Sequence, residues 1–127
     1  MDYITKAGAA DVSDAAGTDQ WLIDAPVGGK IRVDACFITL TEATGAMTVD
    51  GVVSLKIGGN EVGTATFLDN AAIGATVAFV PDGTYCTVAD PEVTFAVGAD
   101  ILVEIKTQAT DVTTGDGDCH LAVEFGF

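Results

Sequence analysis

The sequence has few basic residues and is strongly acidic. Five lysines and arginines stand against nineteen aspartates and glutamates, and the formal net charge is −14. Because this negative charge repels nucleic acids and anionic membrane surfaces, neither is expected as a direct partner. The charge favours solubility, tolerance of salt or the attraction of cations.

The sequence also lacks a long apolar run. The uncharged stretch 71–80 is interrupted by glycine and falls well short of the ~20 residues of a membrane-spanning helix. The first residues lack the basic region of a secretory signal, and glycine and aspartate interrupt the stretch 7–16. We therefore expect a soluble protein that is finished in the cytoplasm of its producer.

Cysteine is scarce, and the three residues Cys36, Cys86 and Cys119 contain no Cys-x-x-Cys pair. An odd number without close spacing argues against a disulfide framework and against a structural zinc site. We predict that the three side chains are small, buried hydrophobic groups.

Histidine is limited to His120, which excludes a centre with several histidine ligands. A Ser-His-Asp arrangement would need Ser13 or Ser54, and neither lies in a Gly-x-Ser-x-Gly motif. The adjacent Cys119 points to the opposite face of a strand and does not meet the histidine. The acidic residues leave a glycosidase-like carboxylate pair open, although none has the aromatic neighbours of a sugar-cleaving site. We predict a protein without enzymatic activity, with His120 at the surface or in an interface.

The sequence is rich in the alternating apolar and polar pattern that is typical of β-strands. Fifteen glycines and three prolines separate runs of Val, Ile, Thr and Phe that alternate with polar residues. The alternation is clearest in the segments 30–40, 100–106 and 119–125. In the first of these, the pattern places Ile31 and Phe37 on one face and reverses after Phe37. Each segment is typical of a half-buried antiparallel strand.

Further strands are predicted at 20–24, 51–57, 61–68, 76–80 and 93–97. Gly58-Gly59 is predicted to form a tight hairpin turn, because glycine tolerates the positive φ of a primed turn. About eight short strands without an amphipathic helix predict an all-β fold, a sandwich or a jelly roll.

Residues 1–19 differ in composition, since they are small and polar and lack an apolar stripe. They predict an N-terminal arm that precedes a β-domain at 20–127. We expect this arm to be held either by the body of the domain or by a neighbouring subunit.

One loop resembles a cation site. The segment 111–118 places Asp111, Asp116 and Asp118 on a glycine-rich loop, and calcium binds six to eight oxygen ligands. The segment lacks the twelve-residue pattern of an EF-hand, so an ordinary solvated turn is the alternative. No other metal or cofactor is expected.

The stretches 23–31, 52–66 and 97–105 resemble those of small jelly-roll proteins of tailed bacteriophage virions, namely capsid decoration or cement proteins. The resemblance covers roughly residues 21–127 and rests on strand and turn patterns. It implies an antiparallel β-sandwich of jelly-roll type with about eight short strands.

The resemblance also implies a function. Decoration proteins bind the outer surface of the phage head and stabilise the major capsid protein lattice by bridging its subunits, commonly as homo-oligomers and often as trimers. An acidic protein fits the outside of the shell because the packaged DNA repels it. The arm would then be a strap between subunits. The residues expected at the interface are Met1, Tyr3, Ile4 and Trp21.

Two other functions are compatible with the residues. A ligand-binding or receptor-binding jelly roll, such as a carbohydrate-binding module or a component of a phage fibre or tail, would need exposed aromatic residues, of which the sequence offers few. Trp21 would be the residue to test, although its place at the start of a strand favours a position in the core or in an interface over stacking on a sugar. An enzyme on a sandwich scaffold lacks a recognisable nucleophile, base or metal set. Calcium would be compatible with a structural role.

Overall fold

The computed structural model describes residues 2–110 and 115–126. In this part of the chain every regular element is a β-strand, apart from one 3₁₀ turn at Val33–Ala35. The strands are β1 (Asp2–Asp11), β2 (Asp19–Asp24), β3 (Gly29–Arg32), β4 (Phe37–Leu40), β5 (Val52–Ile57), β6 (Asn60–Thr66), β7 (Thr76–Ala78), β8 (Val80–Pro81), β9 (Glu92–Phe95), β10 (Asp100–Thr107) and β11 (Asp116–Phe125). The predicted all-β class is confirmed.

The strands form two antiparallel sheets. In sheet A, β11 lies between β1 on one side and β3 with β4 on the other, and these two are followed by β9 and β7. Sheet B has the order β2-β10-β5-β6-β8. The inward-facing residues of both sheets form a single core, as in a β-sandwich.

The core explains why the alternating segments form strands. Ile101, Val103 and Ile105 of β10 are fully buried, as the sequence pattern predicts, and Leu121 of β11 is buried with them. Phe67 and Phe79 are the largest fully buried side chains among the described residues. Gly117 of β11 lies tightly against the neighbouring strand β4 of sheet A, where an added Cβ atom would collide with the Ile38 side chain.

The turn at Gly58-Gly59 also follows the prediction. It joins β5 to β6 through two residues with φ of 58° and 85°, and Ile57 pairs directly with Asn60. Positive φ at both central positions is the geometry that a tight antiparallel hairpin needs, because its twist matches that of the strands.

The segment 30–40 departs from the predicted single strand. The 3₁₀ turn at Val33–Ala35 separates β3 from β4 and shifts the alternation by one residue. Ile31 and Val33 are buried before and within the turn, whereas Ile38 is buried after it. Phe37, predicted on the same face as Ile31, therefore lies on the outer face of sheet A. A one-residue shift reverses the faces because side chains alternate with period two.

The N-terminal segment is part of the sheet. Residues 2–11, expected within an arm spanning 1–19, form β1 and pair with β11 from Asp2–Val123 to Asp11–Asp116. Ala10 and Val12 are fully buried in the core. Within the described chain, the segment is thus held by the body of its own domain.

Candidate interaction surface

An aromatic cluster lies on the outer face of sheet A. The rings of Phe37 and His120 stack with centroids 4.6 Å apart and planes inclined by 19°. Tyr3 approaches Phe37 edge to face, with a centroid distance of 5.7 Å. Both arrangements are favourable for π systems. We call Tyr3, Thr5, Phe37 and His120 the aromatic patch.

The register of three strands produces the patch. Thr5 of β1 pairs with His120 of β11, which pairs in turn with Phe37 of β4. Thr5 Oγ1 lies 3.0 Å from His120 Nδ1, a hydrogen-bond distance. Tyr3 lies two residues before Thr5 and therefore on the same face of β1. The side chains of the patch thus stand on three hydrogen-bonded strands of one sheet.

The patch combines exposure with apolar character. The Tyr3 side chain is 55% exposed, whereas Phe37 and His120 are half-buried. Exposed aromatic groups on a polar background are typical of binding surfaces, since they desolvate readily and lose little side-chain entropy.

The outer face of sheet B is different because ion pairs cover its centre. Lys56 Nζ lies 2.9 Å from Glu104 Oε1, and Lys106 Nζ lies 3.0 Å from Glu61 Oε2. The Ser54 hydroxyl donates to Glu61 Oε1 at 2.6 Å and is buried beneath these long side chains. These charged groups satisfy one another, so the centre of this face offers little apolar surface to a partner.

His120 and the cysteines do not form a nucleophilic centre in the described structure. Cys119 points into the core while His120 faces outward, as the alternation predicts. Burial raises the pKa of the Cys119 thiol to about 12, and burial likewise raises the pKa of Cys36 to about 12. Cys86 is also buried, and its pKa is raised chiefly by desolvation. All three thiols are protonated at neutral pH, which makes them poor nucleophiles.

The candidate calcium ligands lie at the start of β11. Asp116 and Asp118 are half-buried, while Asp111 lies outside the described residues. No group of three or more metal-binding side chains occurs in residues 2–110 and 115–126. Asp116 pairs across the strands with Asp11. Its pKa is raised first by partial burial and then by the charges of Asp11, Glu42 and Asp14.

A second pair of acidic residues lies face to face on β2, the edge strand of sheet B, and on its neighbour β10. Asp24 of β2 lies opposite Asp100 of β10. The main cause of the raised Asp100 pKa is a hydrogen bond that the protonated Asp100 carboxyl donates to the paired Asp24 carboxylate. Such a pair shares a proton more readily than two isolated carboxylates would.

The residues expected at an interface occupy different environments. Tyr3 is exposed in the aromatic patch, and Ile4 is half-buried against the core on the opposite face of β1. Trp21 is 8% exposed and belongs to the core, so it is not available as a surface residue. Its alternation with Leu22, which is 55% exposed, directs it inward. Met1 lies outside the described residues.

The sequence pattern does not predict Phe37 as a surface residue and does not connect His120 with Tyr3. The reversal of alternation after Phe37 was the available signal, because it marks an interrupted strand. The meeting of residues 3, 37 and 120 depends on the pairing of distant strands, for which the sequence carries no local signal.

Comparison with known proteins finds no matching family model, no similar curated protein and no similar solved structure. In the described part of the chain, no helix has the length and apolar character needed to cross a membrane. The same residues form no detectable pocket.

Proposed function

We propose that the protein is a virion structural protein, a capsid decoration or cement protein that binds the outside of a phage head and bridges capsid subunits. The observation that carries this proposal is the aromatic patch, a partly exposed group of aromatic side chains on the surface of an acidic protein. The net charge of −14 favours a place outside the shell, away from DNA. The partner would be the major capsid protein lattice.

The connectivity supports a fold of jelly-roll type. Eight strands result if β3 and β4 count as one interrupted strand, β7 and β9 as another, and the two-residue β8 as an extra edge strand beside β6. Each strand of the first half then pairs with one of the second half in reverse order. Thus β1 pairs with β11, β2 with β10, β3 and β4 with β9 and β7, and β5 with β6. A long antiparallel hairpin wrapped into two sheets has this pairing, and jelly rolls are built from eight strands in this way.

Capsid reconstitution tests the function. Purified protein is added to undecorated phage capsids, and both the bound amount and the temperature of capsid disruption are measured. We expect binding and a rise in the disruption temperature, and both should weaken when Tyr3→Ser removes the exposed ring. Leu22→Ser on sheet B is the matched control, because Leu22 is also 55% exposed on an edge strand.

Point substitutions are more informative here than deletion of residues 1–19. The deletion would also remove Ala10 and Val12 from the core and therefore disturb folding. Failure of the wild-type protein to bind any undecorated capsid would argue against the proposal, as would equal binding by a folded Tyr3→Ser variant.

The aromatic patch also favours a second candidate, a carbohydrate-binding or receptor-binding module of a phage fibre or tail. Aromatic rings stack on sugars, and the exposed ring of the patch is that of Tyr3, whereas Trp21 is buried. A glycan array tests this function. Binding that is lost in Tyr3→Ala and retained in Leu22→Ala would favour it over decoration.

A further inference from the structure

The outer edge of β1 is a short and regular unpaired segment. β1 pairs with β11, and among the described residues no strand pairs with its other side. The pairing is continuous from Asp2 to Lys6 and is interrupted before Ala10, where residues 7–9 stand opposite Asp118 alone. We call residues 2–6 the β1 edge. Unpaired backbone N–H and C=O groups on such an edge can pair with a further strand.

The sequence of the β1 edge is self-complementary, with an acidic residue at one end and a basic residue at the other. We propose that two copies of the chain pair antiparallel along their β1 edges, about a twofold axis at Ile4, so that both sheets A form one continuous sheet. This register places Asp2 opposite Lys6 of the partner subunit, twice per dimer. Opposite charges directly across antiparallel strands stabilise the pairing.

Lys6 is available for this contact. The other four basic side chains, Lys30, Arg32, Lys56 and Lys106, form ion pairs within the chain. Lys6 is exposed and forms no ion pair among the described residues. In the proposed register, Asp2 of the partner subunit is the acidic partner that Lys6 lacks among the described residues.

The proposed pairing also extends the aromatic patch. Phe37, His120 and Thr5 form a row across three strands, and the register adds Tyr3 of the partner subunit as the next member. The twofold axis also places Tyr3 of this chain next to the corresponding row of the partner subunit, which runs in the opposite direction. The exposed Tyr3 ring would be covered on one side, and aromatic or threonine side chains opposite each other stabilise sheets.

The other free edges are poorer candidates for self-pairing. β7, β8 and β9 contain three, two and four residues. β2 is longer, but it begins at Asp19 and ends at Asp24, so antiparallel self-pairing would place like charges opposite each other. Within the described strands, the β1 edge is the one that combines length with complementary ends.

Sedimentation velocity and light scattering on the purified full chain, over a concentration series, test the pairing. We expect a species of twice the 12.9 kDa chain mass. Lys6→Asp and Asp2→Lys should each weaken dimerisation by about tenfold or more, because each turns two attractive pairs into repulsive ones. The double variant Asp2→Lys/Lys6→Asp should restore the dimer. Lys106→Asp, the same charge change on sheet B, should leave the association unchanged.

Circular dichroism and thermal melting of each variant verify that it is folded. A wild-type monomer at every concentration would overturn the proposal, and so would a trimer. A folded double variant that stays as weak as the single variants would also overturn it. The measurement uses no capsid, so its outcome is independent of the proposed decoration function.

Discussion

The acidic pair at Asp11 and Asp116 leads to a quantitative prediction about stability and pH. The two residues lie directly opposite each other in β1 and β11, and Glu42 and Asp14 add further negative charge near Asp116. Like charges in directly opposed positions destabilise a strand pair by roughly 0.2–1 kcal/mol. With partial burial and two further carboxylates, we take about 1 kcal/mol as the cost of a charged Asp116 at pH 7.

The direction of the pH dependence follows from the raised pKa of Asp116. The folded protein binds this proton more tightly than the unfolded chain, in which the aspartate pKa is about 3.9. The cost of the charge is therefore relieved as the pH falls through the folded pKa, and the relief is complete below the unfolded value. Lowering the pH from 7 through the folded pKa of Asp116 therefore increases its contribution to the free energy of unfolding. Raising the pH back to 7 removes this increase.

The substitution Asp116→Asn tests this reasoning by removing the charge while keeping the shape. At pH 7 we expect the variant to be more stable than the wild type by about 1 kcal/mol, which corresponds to a Tm increase of about 2–5 °C. The difference should shrink toward zero as the pH approaches about 3.5, below the unfolded aspartate pKa. Urea unfolding followed by circular dichroism at several pH values measures it.

A control separates the local effect from the general relief of net negative charge. Asp50→Asn removes one charge at an exposed loop position, and its effect at pH 7 should be smaller than that of Asp116→Asn. An Asp116→Asn variant that is less stable than the wild type at pH 7 would show that the charged Asp116 does not destabilise the fold. A stability difference that is unchanged at acidic pH would show that the titration of Asp116 is not its cause.

Three further predictions concern the core. Gly117→Ala should lower the free energy of unfolding by about 1–3 kcal/mol, because the new Cβ would collide with Ile38 and lie 3.2 Å from the Thr39 carbonyl oxygen. Urea titration measures this loss, and an unchanged midpoint would contradict the close approach of Gly117 to β4. Phe67→Ala should cost about 3–5 kcal/mol in the same titration, since it leaves a cavity in a fully buried site. A thiol-reactive chromophore should label the native protein only slowly at pH 8 and all three cysteines after unfolding, because each thiol is buried; rapid native labelling would show that the thiols are accessible.

Much of the sandwich could be predicted from local sequence. In β10 and β11 the alternation of apolar and polar residues continues along most of the strand, and burial follows it. The β5–β6 hairpin is specified by Gly58-Gly59, since the required backbone angles are local properties of glycine. Period-two patterning and turn chemistry act within a few residues and need no knowledge of the rest of the chain.

Two segments could not be predicted in this way. Residues 2–11 contain too few large apolar side chains to signal a strand, and they form one because β11 offers a pairing edge along this length. The segment 30–40 alternates as if it were one strand, but the 3₁₀ turn at Val33–Ala35 divides it between two pairings with β11. In both cases backbone hydrogen bonds to a distant strand outweigh the local pattern.

The sequence by itself determined the all-β class, the acidic character, the burial of the cysteines and the outward position of His120, because these follow from composition and from local periodicity. Tertiary structure decided that Trp21 fills the core rather than an interface, that Phe37 lies on the outer face of sheet A and that Tyr3, Phe37 and His120 meet in one patch. The physical reason is that a strand's neighbours are selected by hydrogen-bonded pairing over long chain separations, and that pairing is a property of the whole sandwich.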